Sequence, residues 1–505
     1  MSGPLILASS CVGAQILNAP REVKQLLSDQ LSYAVDGHEH MNAFKAGRWD
    51  GRSSFFRWED GKFPAGFAMN IHDKLVEEGH PVKLVRKPRP APKGPDDFHL
   101  FGGRGTDPRY DYQPEVVRQL IRHGMGIARI ATGGGKSWVA TLGIHRIRRM
   151  TLFLTTRGVL MHQMGEALRE SGFKVGVLGD GAWAPSAVNV AMVQTLVARL
   201  KEPEPHDTSA EAERQRRVRA QTIKILGMVE FVIGEEAHEA GGNSYFEILR
   251  HCRNAHYRLA LTATPFMRPD AEANMRLMAA FGGVIAEVSE KLLIDRGILA
   301  TPYFKFVETP KPAKLFKSTP WPRAYKLGVV ENEERNAAIV REALRAVAHG
   351  LPVMILAQHK AHGGRLQEML LAAGCRAKFM YGDHDQDARK RYLTALATGV
   401  IQVLIGTTIL DVGVDVPAVG MVILAGGGKA EVATRQRIGR GLRAKKTGPN
   451  VAFVVDFLDP HNAHLRGHAR QRLEIVTSTP GFAERLLAPG VDFDYVGLGL
   501  TRRAA

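Results

Sequence analysis

Short apolar runs alternate with helical stretches along most of this chain, and that alternation restricts its fold more than any other feature. It occurs twice, within residues 109–290 and again within residues 330–460. Runs such as TLFLTT, YRLALTA, PVMILAQ and VAFVVDF are almost wholly apolar, as is typical of strands buried on both faces of a parallel sheet. Each such strand needs a crossover, usually a helix, to reach the next. The sequence therefore predicts an α/β fold with two tandem parallel-sheet lobes.

The remaining residues predict smaller units around these lobes. REVKQLLSDQLSYAV favours an amphipathic helix, and SSFFRWEDGKFPAGFAM favours a hairpin that turns at Asp60-Gly61. RKPRPAPKGP alternates proline with basic residues, which predicts an extended and solvated linker. A charged segment, residues 201–224, interrupts the first lobe and is predicted to form a solvated loop and helix. The predicted units are a small α+β domain at 1–85, the linker at 86–108, the lobes at 109–295 and 296–460, and a helical tail at 461–505.

Charge and cysteine content limit the partners and the compartment. Lys and Arg number 68 against 51 Asp and Glu, a formal net charge of +17 that favours polyanionic partners such as nucleic acid. Cys11, Cys252 and Cys375 are far apart and in no metal-ligand spacing, so neither a disulfide framework nor a zinc site is expected. No apolar run reaches the length of about 18 residues that a membrane span requires, and the N-terminus lacks a basic leader segment. We therefore expect a cytoplasmic protein outside any membrane.

A glycine-rich loop follows an apolar strand in IARIATGGGKS and precedes a helix. Glycines allow backbone N–H groups to turn toward phosphate oxygens, the lysine reaches the β and γ oxygens, and the next hydroxyl can ligate Mg²⁺. The sequence thus predicts a nucleotide phosphate site. Ile130 stands where such loops usually have their first glycine, so a glycine-rich turn with an incidental lysine is the alternative. The predicted loop residues are Thr132, Gly133, Gly134, Gly135, Lys136 and Ser137.

Two adjacent carboxylates end a second apolar run in FVIGEEAH, about a hundred residues after this loop. Glutamates in sequence are most often an exposed pair, but the end of a buried strand is where a metal-associated acid and a water-activating base belong. We assign metal binding to Glu235 and activation of the attacking water to Glu236. His238 is expected to couple this site to its neighbours.

These motifs resemble those of superfamily 2 helicases, whose acidic motif usually reads Asp-Glu-x-His and here reads Glu235-Glu236-Ala237-His238. The resemblance implies two RecA-like lobes that hydrolyse ATP with Mg²⁺. LTATP resembles the family motif that links hydrolysis to lobe movement, with Thr262 and Thr264 as its polar contacts. The longer side chain of Glu235 leaves the metal geometry open.

Further matches to the family lie on both sides of the acidic motif in the first lobe. TTRGVLMHQ and MVQT resemble its nucleic-acid backbone contacts, which would be Thr156, Arg157, Gln194 and Thr195. Gln113 resembles the glutamine that reads adenine, although the arginine usually found three residues earlier is Tyr110 here.

Two family motifs also follow in the second lobe. IGTTILDVGVDVP resembles the motif that faces both nucleic acid and nucleotide, and QRIGRGLR resembles the arginine-finger motif. The resemblance implies that a glutamine meets the γ-phosphate and that two arginines stabilise charge in the transition state. The residues concerned are Thr407, Thr408, Gly413 and Asp415 in the first of these motifs and Gln436, Arg440 and Arg443 in the second.

The likeness extends outside the motor into residues 32–67. Within them, GRWDGR and the short hairpin after it resemble the small N-terminal domain of the recombination helicases of T-even bacteriophages. That resemblance implies unwinding or remodelling of branched DNA, including forks, Holliday junctions and R-loops that contain RNA. It also implies a role in recombination, repair or replication beside the proteins of those processes, in the host-cell cytoplasm. The alternative is that Trp49, Phe55, Phe56 and Trp58 form the core of an unrelated module.

Two other functions compete with this one. The first is a double-stranded DNA translocase of the restriction-subunit or XPB type, which moves along a duplex with little strand separation. The second is a nucleic-acid-binding module with an inactive nucleotide site, suggested by the departures at Ile130 and Glu235. Translocation polarity, preferred junction, preference for DNA over RNA and oligomeric state stay open at this stage.

Overall fold

The computed structural model describes residues 4–97, 106–237, 243–266, 270–382, 386–407, 419–428, 438–439, 442–445 and 448–502. The chain divides into two compact units, Met1–Ile130 with Gly135–Val288 and Ala131–Gly134 with Ser289–Ala505. A large sheet of mainly parallel strands lies in each unit. The predicted α/β fold with two parallel-sheet lobes is therefore confirmed.

The first unit begins with a four-stranded sheet in the order β5-β2-β1-β6. Two helices of ten residues each bury their apolar faces against it, through Val23 and Leu27 on one helix and Ile71 and Leu75 on the other. A separate two-stranded ribbon and a short helix complete this region. The elements are β1 (Leu5–Ser9), β2 (Gly13–Leu17), α1 (Arg21–Gln30), β3 (Ser32–Ala34), α2 (Asn42–Lys45), β4 (Arg52–Ser54), β5 (Lys62–Pro64), α3 (Ala68–Glu77) and β6 (Val82–Arg86).

The expected hairpin at Asp60-Gly61 is reduced to a tight turn. A single antiparallel bridge joins Arg57 to Lys62 across it, and Gly61 adopts φ +67°, a left-handed conformation that favours glycine. The flanking strands pair elsewhere, β4 with β3 and β5 with β2. The prediction was wrong because turn residues indicate where the chain reverses but not which strands pair afterwards.

An eight-stranded sheet forms the first lobe, in the order β10-β9-β11-β8-β12-β13-β7-β14. Only β10 runs antiparallel to its neighbour, at one edge of the described sheet. Every residue of the central strands β8, β12 and β13 is buried, which explains why these strands are mostly apolar. The strands are β7 (Met125–Ile130), β8 (Thr151–Thr155), β9 (Val175–Gly179), β10 (Ala182–Ala184), β11 (Val188–Met192), β12 (Phe231–Glu235), β13 (Tyr257–Thr262) and β14 (Val284–Val288).

Helices connect these strands in the order that the alternation predicts. The charged segment contains one long helix, α8, which Ser209 caps by accepting a hydrogen bond from the Ala212 N–H at 3.2 Å. The helices are α4 (Tyr112–His123), α5 (Lys136–Ile147), α6 (Gly158–Glu170), α7 (Val193–Leu200), α8 (Ala210–Met228), α9 (Asn243–Leu249) and α10 (Ala271–Phe281).

The N-terminal sheet shares its core with the first lobe. The Phe55 ring lies 6.1 Å from that of Phe246 on α9, and Ala279 on α10 belongs to the same apolar cluster. The Tyr33 hydroxyl donates a hydrogen bond of 2.9 Å to the Glu272 carboxylate. Residues 1–85 are therefore packed on the lobe that follows them in the chain.

The expected solvated linker is instead tied to the first lobe. Residues 87–97 form no helix or strand, but their carbonyls accept hydrogen bonds from lobe side chains. The Tyr257 hydroxyl donates to the Pro90 carbonyl at 2.8 Å, and Arg149 donates to the Ala91 carbonyl at 2.7 Å. Proline lacks a backbone N–H, so the carbonyls of this segment need donors from elsewhere. Composition alone does not show whether water or protein side chains supply them.

The second lobe contains a six-stranded parallel sheet in the order β15-β20-β19-β16-β18-β17. A π-helical turn, Lys326–Val330, follows α12. The strands are β15 (Thr301–Val307), β16 (Val353–Leu356), β17 (Ala377–Met380), β18 (Val403–Gly406), β19 (Met421–Ile423) and β20 (Val451–Phe457). The helices are α11 (Glu290–Asp295), α12 (Trp321–Tyr325), α13 (Glu333–Ala348), α14 (Lys360–Ala372), α15 (Gln386–Ala397) and α16 (Ala463–Ser478).

Two of the expected boundaries change. The second unit begins at Ser289 rather than at residue 296, because β14 is the last strand of the first sheet and α11 belongs with the second lobe. In the tail, α16 and a short 3-10 helix, Ala483–Arg485, are helical, and after them Phe493 and Tyr495 return to the core of the second lobe. No helix in the described part of the chain is both long and apolar enough to cross a membrane.

Two ion pairs are buried beneath α13 and α16. Arg335 is 0% exposed and bonds Asp459 at 3.0 Å, while Arg472 holds Asp456 through two hydrogen bonds of 2.8 and 3.0 Å. Arg472 also donates to the Gly428 and Phe457 carbonyls at 2.9 and 3.1 Å. Such a pair is tolerated in a core only when its hydrogen bonds are satisfied, so each partner depends on the other.

Removing Arg472 should therefore destabilise the second lobe. We expect Arg472→Met to lower the free energy of unfolding by about 3–5 kcal/mol, because Asp456 would be left charged and buried. Urea unfolding followed by circular dichroism measures this. The control is Arg345→Met, since Arg345 is 42% exposed and its pairing with Glu342 should contribute about 1 kcal/mol or less. Equal effects of the two substitutions would contradict the assignment.

Candidate functional site

The glycine-rich loop joins the carboxyl end of β7 to the first turn of α5. Gly133 and Gly135 have φ of +89° and +79°, the left-handed region that side chains disfavour. The Gly134 N–H donates to the Ala131 carbonyl at 3.0 Å, which closes the turn. The loop therefore brings Lys136 and Ser137 to the start of a twelve-residue helix, where backbone N–H groups and the helix dipole favour an anion.

Ile130 departs from the usual loop pattern for a structural reason. It is the last residue of β7, it pairs with Val288 of β14, and its side chain is 0% exposed. A branched apolar side chain is what a buried strand position favours. The described loop therefore begins after Ile130, and its tight turn uses the glycines that follow.

The two glutamates lie where β12 ends, one on the strand and one beyond it. Glu235 is the last strand residue and is 6% exposed, while Glu236 adopts φ +44°. Such a left-handed φ is uncommon for a residue other than glycine and is characteristic of functional turns. The Tyr245 hydroxyl holds the Glu235 carbonyl at 2.8 Å, and the Glu236 N–H donates to the Leu261 carbonyl of β13 at 3.0 Å.

Lys136 and Glu236 meet across this edge of the sheet. The Lys136 ammonium nitrogen lies 3.4 Å from a Glu236 carboxylate oxygen, and the two side chains are only 11% and 12% exposed. Little solvent screens so enclosed a pair. The structure thus brings together two residues that are 100 positions apart and that the sequence assigned to one site.

The threonines of LTATP stand beside them at the end of β13. Thr262 is 0% exposed, and its hydroxyl accepts a hydrogen bond from the Thr264 N–H at 3.2 Å. The Thr264 hydroxyl is 2% exposed and has no hydrogen-bond partner among the described residues. The neighbouring Leu261 carbonyl accepts the hydrogen bond from the Glu236 N–H, so this strand end is bonded directly to the glutamate.

An open groove of about 630 Å³ lies on the first lobe where β8 and β11 pass into α6 and α7. Two of its lining residues are joined by a hydrogen bond of 3.0 Å, which the Gln194 amide donates to the Thr156 carbonyl. Thr195 follows Gln194 on α7 and is partly exposed. The lining residues are Thr156, Arg157, Val193, Gln194, Val197, Ala198 and Ser244.

Ser244 was not identified from the sequence. It lies in the first turn of α9, shortly after the acidic motif, and it lines the groove. The segment GGNS between a strand end and a helix is the signal that could have identified it, because serine is common at such helix starts.

Gln113 lies in the first turn of α4 and is buried. Its side chain is 1% exposed, and its amide lies 3.5 Å from the Tyr112 hydroxyl. Arg109, shortly before it in the chain, is exposed and forms a 2.6 Å ion pair with Asp107. Recognition of adenine by Gln113 stays a prediction.

The second lobe is described only in part at its predicted site residues. Thr407 follows β18, and its N–H donates to the Met380 carbonyl at 3.3 Å. Arg443 is partly exposed and forms an antiparallel bridge with Leu299, and its carbonyl lies 3.4 Å from the Lys445 ammonium. Burial lowers the pKa of Lys445 to about 8. The predicted residues that lie outside the described part are His238, Thr408, Gly413, Asp415, Gln436 and Arg440.

The donors at the strand ends fit a magnesium-nucleotide complex. The Ser137 hydroxyl and the Glu235 carboxylate are hard oxygen ligands, and Mg²⁺ usually takes only one or two carboxylates together with phosphates and water. No group of three or more His, Cys, Asp or Glu side chains suited to a metal occurs among the residues that the structure describes. A protein cage for a metal without nucleotide is thus absent from that part of the chain.

This chain is similar to two protein families and to several named helicases and translocases. Residues 107–267 match the family model described as type III restriction enzyme, res subunit, and residues 335–445 match the helicase conserved C-terminal domain. The ATP-dependent DNA helicase uvsW of phage T4 is 21% identical over 86% of each chain. The DNA 3'-5' translocase XPB2 of Sulfurisphaera tokodaii is 23% identical over 72% of this chain and 84% of that protein.

Two further matches differ in coverage. A protein of Sulfolobus islandicus filamentous virus with a provisional helicase name is 22% identical over 70% of this chain, which spans 65% of that relative's length. The solved structure of the helicase MrfA bound to DNA superposes with a TM-score of 0.53, at 14% identity, over 78% of this chain and 52% of that one. At this identity the likeness concerns the fold.

The family matches lie in both lobes, and the first of them includes the loop, the acidic motif and the residues that line the groove. The enclosed Lys136–Glu236 pair and the order of the motifs agree with them. This chain belongs to superfamily 2 of the ATP-dependent helicases.

Proposed function

We propose that this helicase unwinds or remodels branched DNA, such as forks, Holliday junctions and R-loops, during recombination, repair or replication. The observation that carries the proposal is the pairing of Lys136 with Glu236 on the same lobe as a polar groove lined by Thr156, Arg157 and Gln194. Nucleotide chemistry and nucleic-acid contact are thereby linked to one sheet. The likeness to the T4 DNA helicase over 86% of the chain supports DNA as the substrate.

In this proposal the Lys136–Glu236 pair is the resting state of the ATP site. The arriving β and γ phosphates attract the ammonium more strongly than one carboxylate does, so Lys136 moves to the phosphates and Glu236 is released. Glu236 then accepts a proton from the attacking water. Bound Mg²⁺, held by Ser137 and Glu235, would neutralise charge on the phosphates. Thr132 to Gly135 supply backbone N–H groups, and Gln113 is proposed to contact adenine.

The remaining site residues are proposed to transmit and complete hydrolysis. Thr262, Thr264 and His238 couple the acidic motif to neighbouring strands. Arg440 and Arg443 stabilise transition-state charge, and Gln436 contacts the γ-phosphate. Nucleotide contact is assigned to Gly413 and Asp415, and nucleic-acid backbone contact to Thr195, Thr407 and Thr408.

The N-terminal domain is proposed to select branched substrates. Phe56 is buried and Phe55 packs on Phe246, so these rings are core, whereas Trp58 is 38% exposed and Arg48 is exposed. An exposed indole can stack on an unpaired base, and an arginine nearby in sequence can hold a phosphate. Such a pair suits the place where a duplex opens.

A duplex translocase is the alternative that a specific observation favours. Residues 107–267 match the restriction-enzyme family model, and the XPB2 relative is named a translocase. An inactive nucleotide site is disfavoured, because the lysine and the glutamate that the proposed hydrolysis uses lie together at the end of the sheet.

Substitutions of Lys136 and of Glu236 should affect ATP binding and ATP hydrolysis differently. We expect Glu236→Gln to retain ATP binding while kcat falls by about 10²–10⁴-fold, because an amide cannot accept the proton of the water. Lys136→Ala should lose both affinity and turnover, because a phosphate contact is removed. Steady-state ATPase assays and binding of a fluorescent ATP analogue measure the two effects. The controls in the same lobe are Glu247→Gln, at a partly exposed position, and Lys174→Ala, at an exposed one, and both should behave as wild type. Loss of ATP binding in Glu236→Gln would show that Glu236 holds the metal instead.

Substrate ranking should distinguish unwinding from translocation. We expect forked and four-way DNA to stimulate the ATPase more than blunt duplex does, because a junction offers duplex and single strand together. Labelled strands should be displaced from the forked and from the four-way substrate. A translocase would be stimulated most by long duplex and would displace a triplex-forming strand without separating the duplex. RNA and R-loop substrates belong in the same series. The second pattern would overturn the proposal.

The role of the N-terminal domain can be tested by exposed point substitutions, since deletion would uncover the core shared with α9 and α10. Trp58→Ala and Arg48→Ala should each lower the ratio of fork to simple partial-duplex unwinding, roughly fivefold for the lost stacking contact. Val76→Ala, at a 51% exposed position of the same domain, is the matched control. An unchanged ratio in both variants, with ATPase intact, would remove the selecting role.

A further inference from the structure

The connection between β15 and α13 carries an unusual charge pattern. Residues 309–330 contain five basic residues and no Asp or Glu. A solvated face of an ordinary domain mixes both signs, and a face of one sign marks a surface for oppositely charged partners. The basic residues, all of them exposed, are Lys311, Lys314, Lys317, Arg323 and Lys326.

Helix α16 extends this surface with the same sign. Residues 460–473 contain no acidic residue, and Arg466 and Arg470 are exposed on the helix. The two segments touch, because His468 packs on Trp321 with ring centroids 4.5 Å apart. Residues 309–327 and 461–470 thus form one surface of the second lobe, the platform.

A buried asparagine fixes the platform in place. Asn462 is 1% exposed, and its amide nitrogen donates to the carbonyls of Phe316, Lys317 and Thr319 at 2.9, 3.2 and 2.9 Å. Its amide oxygen accepts from the first N–H groups of α16 at 3.0 and 3.3 Å. The turn around Phe316 is therefore held rigidly to the start of the helix.

Two aromatic side chains stand among these charges. Phe316 is 61% exposed at the tip of the fixed turn, with the Lys311 ammonium 5.5 Å from its ring centroid. Trp321 is partly exposed and lies against Tyr325 at 5.2 Å and against His468. An aromatic ring held rigidly in water is costly for solubility, and it offers a flat face for stacking.

The charges of the platform lack internal partners. In the stretch of chain that the structure describes, no carboxylate lies within ion-pair distance of Lys311, Lys314, Lys317 or Arg323. Lys326 is the contrast, since Glu331 lies 3.4 Å from its ammonium. Four cations without counter-charges are available to a polyanion.

We propose that the platform binds single-stranded nucleic acid, with Phe316 and Trp321 stacking on bases and the lysines holding phosphates. Alternation of aromatic faces with cations is the arrangement that recognises an unpaired strand. An acidic protein would use the charges but not the exposed rings. The platform contains none of the residues assigned above to the ATP site or the groove, and it shares with the proposed function only the class of partner.

Equilibrium binding of an oligo-dT strand, measured by fluorescence anisotropy at several salt concentrations without nucleotide, tests the charges. Lys314→Gln with Lys317→Gln should weaken binding and reduce the slope of log affinity against log salt by about 1.4, since each lost phosphate contact accounts for about 0.7. The matched control is Lys378→Gln with Lys390→Gln. Both control lysines are exposed, and Lys378 lies on β17, at the opposite edge of the sheet from β15.

A second substitution tests stacking. Phe316→Ala should reduce oligo-dT affinity roughly tenfold and leave blunt duplex binding unchanged, whereas Phe316→Tyr should retain it, because a ring of the same shape stacks equally well. Phe316 is largely exposed, so neither change should affect folding. Photocrosslinking with oligo-dT that contains 5-iododeoxyuridine should label Phe316 or Trp321.

The outcomes separate this inference from the proposed function. Wild-type binding with unchanged affinity and slope in all platform variants would overturn the platform alone. Equal loss on duplex would reassign it to duplex backbone, and competition by polyglutamate as strong as by unlabelled oligo-dT would reduce it to a general anion surface; both outcomes overturn the proposal. Failure of the wild-type protein to bind any nucleic acid would overturn the proposed function as well. ATPase without nucleic acid should be unchanged in every variant.

Discussion

The central strands of the first lobe are parallel and buried on both faces, so a polar side chain within them needs a buried partner, as Arg258 has, and the polar residues of the site lie where the strands end. The carboxyl ends of β7, β12 and β13 lie at one edge of the sheet, and each delivers one part of the site. β7 leads into the phosphate loop, β12 ends in the glutamates and β13 ends in the threonines. The enclosed pair of Lys136 and Glu236 is the direct result of this arrangement. Lys136 and Glu236 are far apart in the sequence, so only the fold brings their side chains together.

Features set by local spacing could be predicted from the sequence. Buried strands appear as apolar runs, and the loop that follows β7 appears as a run of glycines before a lysine, because the φ angles of Gly133 and Gly135 demand it. The acidic motif could be placed for the same reason, since it ends an apolar run. Ile130 looked like a defect in the loop pattern and is instead a strand residue, 0% exposed.

Features set by distant partners could not be predicted. The segment around Arg472 is rich in His and Arg and predicts a helix, but nothing in it indicates that this arginine is 3% exposed and neutralised by Asp456, 16 residues earlier. The proline-rich segment reads as a free linker, yet Tyr257, 167 residues from Pro90, binds its carbonyl. Burial of Gln113 likewise depends on how α4 packs. Composition indicates which contacts a segment can make, but whether the segment is solvated or buried depends on partners that only the fold brings to it.

The shared core of the N-terminal sheet has a consequence for synthesis. Tyr33 and Glu272, which are hydrogen-bonded, are 239 residues apart in the chain. Phe55 packs in a cluster with residues of α9 and α10, which are synthesised later. At a synthesis rate of about 5–20 residues per second, the N-terminal sheet leaves the ribosome roughly 10–50 s before the helices that cover it. During that interval its apolar face, including Phe55 and Phe67, is open to water and to other nascent chains. The N-terminal sheet therefore completes its packing only after residues of α9 and α10 have been synthesised.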